Sequence, residues 1–298
     1  MVKRMEKKTA RLLAFILALI MIGSVLVYAF RNPSKPEERE IKFDMGESWR
    51  DWIKYIPGET EYILFYDYGE KNKSLKFFIY NSTIRNVNLY VFRDLKPEFY
   101  YFKKLMICNM NTYLVDVGKT KVYFVYTRKD NYLGFDIKLG NVAGRIIALS
   151  AQTNPIVIGY PSYVAGVIRV IRGDEAGFYA KYKNYTDRIG DEFSYVTIVA
   201  GKLARTMFQS NNTSIADFYF EGYRINDSLF EKVVAIHFTG NYFFAKSREI
   251  ENKTVYYYYE NYEDGLSIAT MASYDLEDLI NTTPEIRTII IKFGNETS

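Results

Sequence analysis

The residues that could do chemistry are few and poorly grouped. His237 is the one histidine. It lies in KVVAIHFTG, where strand alternation puts Val233, Ala235 and His237 on one face and Val234, Ile236 and Phe238 on the other. A Ser-His-acid site would have to be built on it, and a zinc site would have to complete it from Cys108 and carboxylates. Neither a Gly-X-Ser-X-Gly elbow nor a Ser-X-X-Lys pair is present. The expectation for His237 is therefore a half-buried strand histidine. Cys108, the sole cysteine, sits in the apolar stretch KLMICNM and reads as a small core residue with no disulfide partner.

Other motifs fail on spacing. Gly118-Lys119-Thr120 resembles the end of a phosphate-binding loop, but Tyr113 occupies the position of the required glycine five residues earlier. Strand-like segments on both sides make it a hairpin turn. No two glycines lie two apart, so a dinucleotide fingerprint is missing as well. Local carboxylate groupings such as Asp44/Glu47/Asp51 and Asp174/Glu175 read as solvated. A carboxylate pair for glycoside hydrolysis would need convergence that spacing alone does not reveal. No catalytic residue, metal site or cofactor is assigned.

Two features stand out instead. The first is Tyr256-Tyr257-Tyr258-Tyr259, with Tyr262 nearby. On a strand, Tyr256 and Tyr258 face one way and Tyr257 and Tyr259 the other. An exposed tyrosine row is a candidate aromatic binding face, since rings stack on sugars and anchor protein partners. The second is a set of nine Asn-X-Ser/Thr acceptor sites, at Asn72, Asn81, Asn184, Asn211, Asn212, Asn226, Asn252, Asn281 and Asn295. With 19 Asn and 33 Ser plus Thr in 298 residues, chance supplies about 2 such triplets. Most fall in turn-like stretches between apolar runs, where a bulky glycan fits.

The N-terminus indicates location. Leu12 to Phe30 is 19 residues without a charge, about 28 Å as a helix, which matches a bilayer's hydrocarbon core. Residues 1–11 hold five of the 39 bases and one of the 35 acids, so they should stay cytoplasmic and send the C-terminal side of the chain across the membrane. Val27 and Ala29 offer small residues for cleavage, but the run exceeds a signal-peptide core, and retention as an anchor is expected. The remaining 34 bases and 34 acids cancel, which leaves no basic footprint for nucleic acid. Many acceptor sites without disulfides, few Gln and abundant Lys, Glu, Ile and Tyr suit an archaeal surface protein of a thermophile.

The elements that must position these residues come from periodicity. After a polar linker over 31–43, an extracytoplasmic domain is expected over 44–298, divisible into two halves near 140–150 if a weak echo between residues 48–69 and 273–294 marks a duplication. Its class is α+β, strand-dominated, with mainly antiparallel sheets and helices around 47–55, 161–172, 175–189 and 275–281. Strands are expected at Tyr62–Tyr68, Leu75–Tyr80, Val87–Phe92, Tyr113–Val117, Lys121–Tyr126, Tyr132–Leu139, Pro155–Gly159, Tyr195–Ala200, Phe218–Tyr223, Val233–Phe238, Tyr242–Ala245, Thr254–Tyr259, Leu266–Ala272 and Ile286–Phe293. Thr239-Gly240-Asn241 reads as a hairpin turn. Taken together, these features describe a single-pass, membrane-anchored envelope glycoprotein with a binding or structural role. Its partner would be an envelope protein or a glycan. The alternatives are an envelope-anchored carboxylate-based hydrolase and an accessory subunit of a membrane complex.

Overall fold

The computed structural model describes residues 38–87, 102–109, 111–210 and 213–288. The expected membrane span at 12–30, residues 88–92 of one expected strand and the acceptors Asn211, Asn212 and Asn295 lie outside them. Among the described residues no helix is long and apolar enough to cross a membrane. The described residues from Arg39 onward form one compact unit.

The chain enters that unit at Arg39, whose guanidinium donates to the carbonyls of Gly118, Ala151 and Thr153 and to Asn154 Oδ1. Strand β1 (Phe43–Asp44) comes next, then helix α1 (Trp49–Ile53), capped by reciprocal bonds between Ser48 and Asp51. They lead to β2 (Tyr62–Asp67), α2 (Lys73–Asn86), β3 (Lys104–Cys108), β4 (Thr112–Asp116), β5 (Arg128–Tyr132), β6 (Phe135–Val142), β7 (Arg145–Ser150), β8 (Thr153–Asn154) and β9 (Ile156–Gly159). Helices α3 (Pro161–Arg172) and α4 (Phe178–Thr186) precede β10 (Tyr195–Ala200), α5 (Gly201–Met207), β11 (Gln209–Ser210), β12 (Thr213–Ser214), β13 (Ala216–Asn226) and β14 (Leu229–Phe238). The last described elements are β15 (Tyr242–Ala245), α6 (Arg248–Lys253), β16 (Tyr256–Asn261), β17 (Leu266–Ser273), α7 (Leu276–Ile280) and β18 (Glu285–Thr288).

Twelve of these strands form one sheet in the order β16-β17-β14-β13-β10-β2-β3-β4-β9-β7-β6-β5. Every neighbouring pair in it is antiparallel. The fold is thus α+β and strand-dominated. The centre of the sheet is buried on both faces, which is why its strands there read YILFYD, KLMIC and TYLVD rather than apolar-polar alternations. On one face, Trp49, Trp52, Val164, Val167, Ile168 and Phe178 of α1, α3 and α4 pack over Phe65, Met106 and Val196. On the other, Leu75 and Ile79 of α2, Phe244 of β15 and Leu276 and Leu279 of α7 pack over Tyr66, Leu105, Val234 and Met271. Lys232 of β14 is buried and donates to the carbonyls of Leu279 and Thr282 at the end of α7.

The helices expected around 47–55, 161–172, 175–189 and 275–281 are present, the second with the expected bounds: Pro161 opens it and Gly173 closes it at φ 80°. Several strand expectations need correction. Leu75–Tyr80 is helical: Asn72 caps the helix by accepting from Ser74 N and Leu75 N, and Leu75, Ile79 and Thr83 bury at i, i+4 and i+8. That spacing overrides the aromatic, β-favouring composition of LKFFIY. Within Lys121–Tyr126 the alternation holds to Val125, with Val122 and Phe124 buried, but Tyr126 is exposed as well and the stretch forms no strand ladder. It crosses the sheet face where Gly140 leaves room for the Phe124 ring. Tyr132–Leu139 is broken by a turn at Leu133-Gly134, both with positive φ (49° and 87°). Thr239-Gly240-Asn241 makes no hairpin, because β15 pairs with β18 rather than with β14. Residues 140–150, where two halves would divide, form the β6–β7 hairpin inside the sheet.

The helical reading of residues 73–86 separates two neighbouring apolar residues. Leu75→Ala should cost about 2–5 kcal/mol of stability by urea unfolding. Phe77→Ala, 68% exposed, should cost no more than about 0.5 kcal/mol. A strand would place both on one face and make the two losses similar.

Candidate functional site

The residues with chemical potential meet on one face of the sheet, from α4 to β16. His237 lies on β14 beside Asp217 of β13, where the pairing slips between Ala216 and Phe218. Its Nδ1 is 2.6 Å from Asp217 Oδ1, and its Nε2 is 2.9 Å from the backbone carbonyl oxygen of Asp264. Its ring stacks on Tyr185 of α4 at 4.5 Å and 18°. A neutral imidazole has one N–H, so only the imidazolium donates to both acceptors. The hydrogen bond to Asp217 leads the effects that hold the His237 pKa above its ordinary value, against the opposing pull of burial. Burial would raise the Asp217 carboxyl, but the bond and charge of His237, with Arg205 at 3.6 Å, take it below the usual range.

Neighbouring groups extend the network outward. Arg188 donates to Asp264 at 2.9 Å, which lowers that carboxyl, and lies 4.5 Å over the ring of Tyr262. Tyr262 donates to Glu260 at 2.7 Å, and that bond leads the effects that push its phenol up to about 12. Tyr256 and Tyr258 continue along β16, stacked at 6.3 Å and 17°, each half exposed. Tyr257 and Tyr259 point to the opposite face and pack on its core, and Tyr257 donates to Ala245 O at 2.9 Å. The expected tyrosine face thus divides: Tyr256 and Tyr258 are accessible, Tyr262 is half covered, and Tyr257 and Tyr259 support the core.

Around His237 the groups are occupied in hydrogen bonds and ring stacking with one another. Both nitrogens of His237 are engaged, which leaves no free base for a hydroxyl nucleophile. The carboxyls of Asp217 and Asp264 are lowered rather than raised, unlike the acid that glycoside hydrolysis needs. Stacked phenol rings beside a carboxylate and a guanidinium supply both apolar platforms and directional hydrogen bonds.

Most of the remaining sequence candidates serve structure. Cys108 is fully buried in β3, and burial pushes its thiol up to about 12. Gly118 and Lys119 form a turn after β4, with Gly118 N donating to Asp116. Asp44 accepts from Gly46 N and Asn154, Asp51 completes the α1 cap, and Glu175 pairs with Arg169 at 2.8 Å. A cleft of about 330 Å³ brings together Glu47, Asp67, Asp191 and Glu192, and Lys104 in it is bonded to Glu47 O. Sequence reasoning missed this grouping because the four acids come from three distant segments. Among the described residues no group of three or more His, Cys, Asp or Glu could hold a metal ion.

Of the acceptor asparagines, Asn184, Asn226, Asn252 and Asn281 are exposed, whereas Asn72 and Asn81 are half-buried. Asn226 occupies the β13–β14 turn, where Asp227 and Ser228 both have positive φ. Asn81 sits within α2, and the hydroxyl of its Thr83 is buried and bonded to Ile79 O.

Comparison with known proteins gives a relative and a domain. The AF_2048_N family model, described as a family N-terminal domain, matches residues 44–172. A protein of Archaeoglobus fulgidus, described as uncharacterized, is 34% identical over 311 residues, covering 99% of this chain and 98% of the relative. The solved structure of TP0453 in its crystal form III is 9% identical and has a TM-score of 0.39 over 76% of this chain and 96% of that one, too weak a likeness to argue from.

A sole histidine gives an unambiguous titration. Its NMR midpoint should lie above the ordinary value of about 6.5 and fall in Asp217→Asn. Because the folded-state value is the raised one, the ring's contribution to stability is full below about 6.5 and is lost as pH rises through the folded-state value. Thermal unfolding against pH should show that loss in the native chain and not in His237→Phe. A midpoint at or below the ordinary value would contradict the doubly bonded ring.

Proposed function

This chain belongs to the family of the Archaeoglobus fulgidus protein and carries the AF_2048_N domain, and we propose that it is a membrane-anchored envelope glycoprotein whose extracytoplasmic domain binds a glycan or protein partner. The observation that carries this reading is the acceptor excess, nine sites where chance supplies about 2. Four of the six described acceptors are exposed, which supports it. The charge-free run at 12–30 and the five bases before it support an anchor with its C-terminal side outside.

The binding role draws on the face from Tyr185 to Tyr256. Its rings, carboxylates and guanidinium fit recognition of polar surfaces with flat apolar patches, as sugars present. Tyr256→Ala combined with Tyr258→Ala should weaken such binding while leaving the fold intact, since both rings are half exposed.

Peptide-mapping mass spectrometry of protein purified from its native membranes tests the glycoprotein reading. Glycan mass is expected on Asn226, Asn252 and Asn281, with peptides from 12–30 recovered. Asn81, half-buried within α2, should carry the least. Unmodified asparagine at every site would remove the glycoprotein assignment.

A further inference from the structure

A cleft of about 290 Å³ lies between α6 and the connection from α7 to β18, and the acceptor Asn281 is one of the residues that line it. Its two sides are held unequally. Asn281 caps the C-terminus of α7, where its backbone N–H and its side chain both donate to Glu277 O, at 3.2 and 3.1 Å. Thr282 beside it is buried, donates from Oγ1 to Asp278 O and accepts from buried Lys232 at 3.0 Å. The acceptor therefore stands on a pinned base, while Asn281 itself and Thr283 are exposed. Across the cleft, α6 is six residues long and buries only Ile250. A helix so short, fixed by one apolar side chain, opens locally at little cost.

The lining has the mixed character that a sugar needs. Ile250 and Pro284, both buried, supply apolar surface. Glu249 and Glu285 supply acceptors. The first pairs with Lys253 at 2.7 Å and the second with Arg287 at 2.8 Å, but a carboxylate accepts several hydrogen bonds at once, so both keep capacity for hydroxyls. Such a cleft is small and polar for a free ligand. A group tethered at its own rim is present at a high effective concentration, so weak contacts suffice to seat it.

We propose that the carbohydrate on Asn281 folds back into this cleft and fastens α6 to the α7–β18 connection. This rests on the glycoprotein reading above. Attachment forms a bond from Asn281 Nδ2 to the anomeric carbon of an activated glycosyl phosphate, expels the phosphate and removes one amide proton. The second amide hydrogen remains, so the bond to Glu277 O survives the modification. The first sugars set hydroxyls against Glu249 and Glu285 and lay their C–H faces on Ile250 and Pro284. The glycan thus completes the fold locally, as a strap over a helix that the chain itself holds weakly.

The test compares the full chain with Thr283→Ala and Thr283→Ser, each made in the native host and purified from its membranes. Alanine destroys the acceptor site and serine keeps it, and neither disturbs the core, because Thr283 is exposed. Mass spectrometry reads glycan on Asn281, and hydrogen exchange reads the amides of α6, with α3 as the internal control. Glycan is expected on the native chain and on Thr283→Ser, and not on Thr283→Ala. Exchange in α6 should be roughly tenfold faster in Thr283→Ala alone, with α3 unchanged. Any glycan on Asn252 is common to all three chains and cancels. Glycan on Asn281 with equal α6 exchange in the three chains would overturn the seat and leave the glycoprotein reading standing. Faster exchange in both variants would assign the effect to the Thr283 side chain, and faster exchange in α3 as well would make it global; either overturns the seat. A native chain without glycan at Asn281 but with glycan at other acceptors would overturn the seat alone, whereas unmodified asparagine at every site would remove both readings.

Discussion

A sheet of twelve antiparallel strands, buried on both faces at its centre, sets the terms for everything else in this domain. Each face needs a cover, and the chain provides it with short helices and large rings rather than with long helices. That explains the unusual 17% aromatic content. Trp52 meets Phe65 edge-on at 5.5 Å, and Tyr66 meets Tyr195 the same way at 5.5 Å on the opposite face. Rings of this size span the roughly 10 Å between packed layers with few side chains. Where cover runs out, at β16 and along 121–126, rings reach solvent.

The same constraint explains which parts of the fold were legible. The α3 helix could be read to the residue because Pro161, the Val164/Val167/Ile168 spacing and Gly173 all agree. On β14 the alternation of KVVAIHFTG placed His237 correctly on its face. Leu75–Tyr80 was illegible as a helix because the decisive signal is Asn72, a cap that also reads as a glycan acceptor. Lys121–Tyr126 has strand periodicity without a strand, since covering a sheet face also buries every second residue. Tyr242–Ala245 was legible as a strand, but its partner β18 lies about 45 residues on, and no local pattern names it.

The candidate site was legible only in part. The division of Tyr256/Tyr258 from Tyr257/Tyr259 follows from the period of two. Asp217, Asp264, Arg188 and Tyr185 could not have been assigned to His237, because they arrive from three distant segments: β13, the turn before β17, and α4 with the residues just after it. Once together they satisfy both ring nitrogens and lower the carboxyls. The half-buried strand histidine expected at position 237 is a fastening between β14, β13 and the turn before β17. Exposed chemistry moves outward to Tyr262, Tyr258 and Tyr256. The accessible acceptors Asn226 and Asn281 sit at chain turns and helix ends, so carbohydrate there would leave both core layers undisturbed.

The central claim is that this domain lies outside the cytoplasm while the basic N-terminus stays within. Labelling intact cells with a membrane-impermeant amine reagent and mapping the modified lysines tests it most directly. The account predicts label on exposed Lys71, Lys202 and Lys253 in intact cells, with Lys3, Lys7 and Lys8 reached only after lysis. Domain lysines that stay unlabelled until the cells are broken would contradict it.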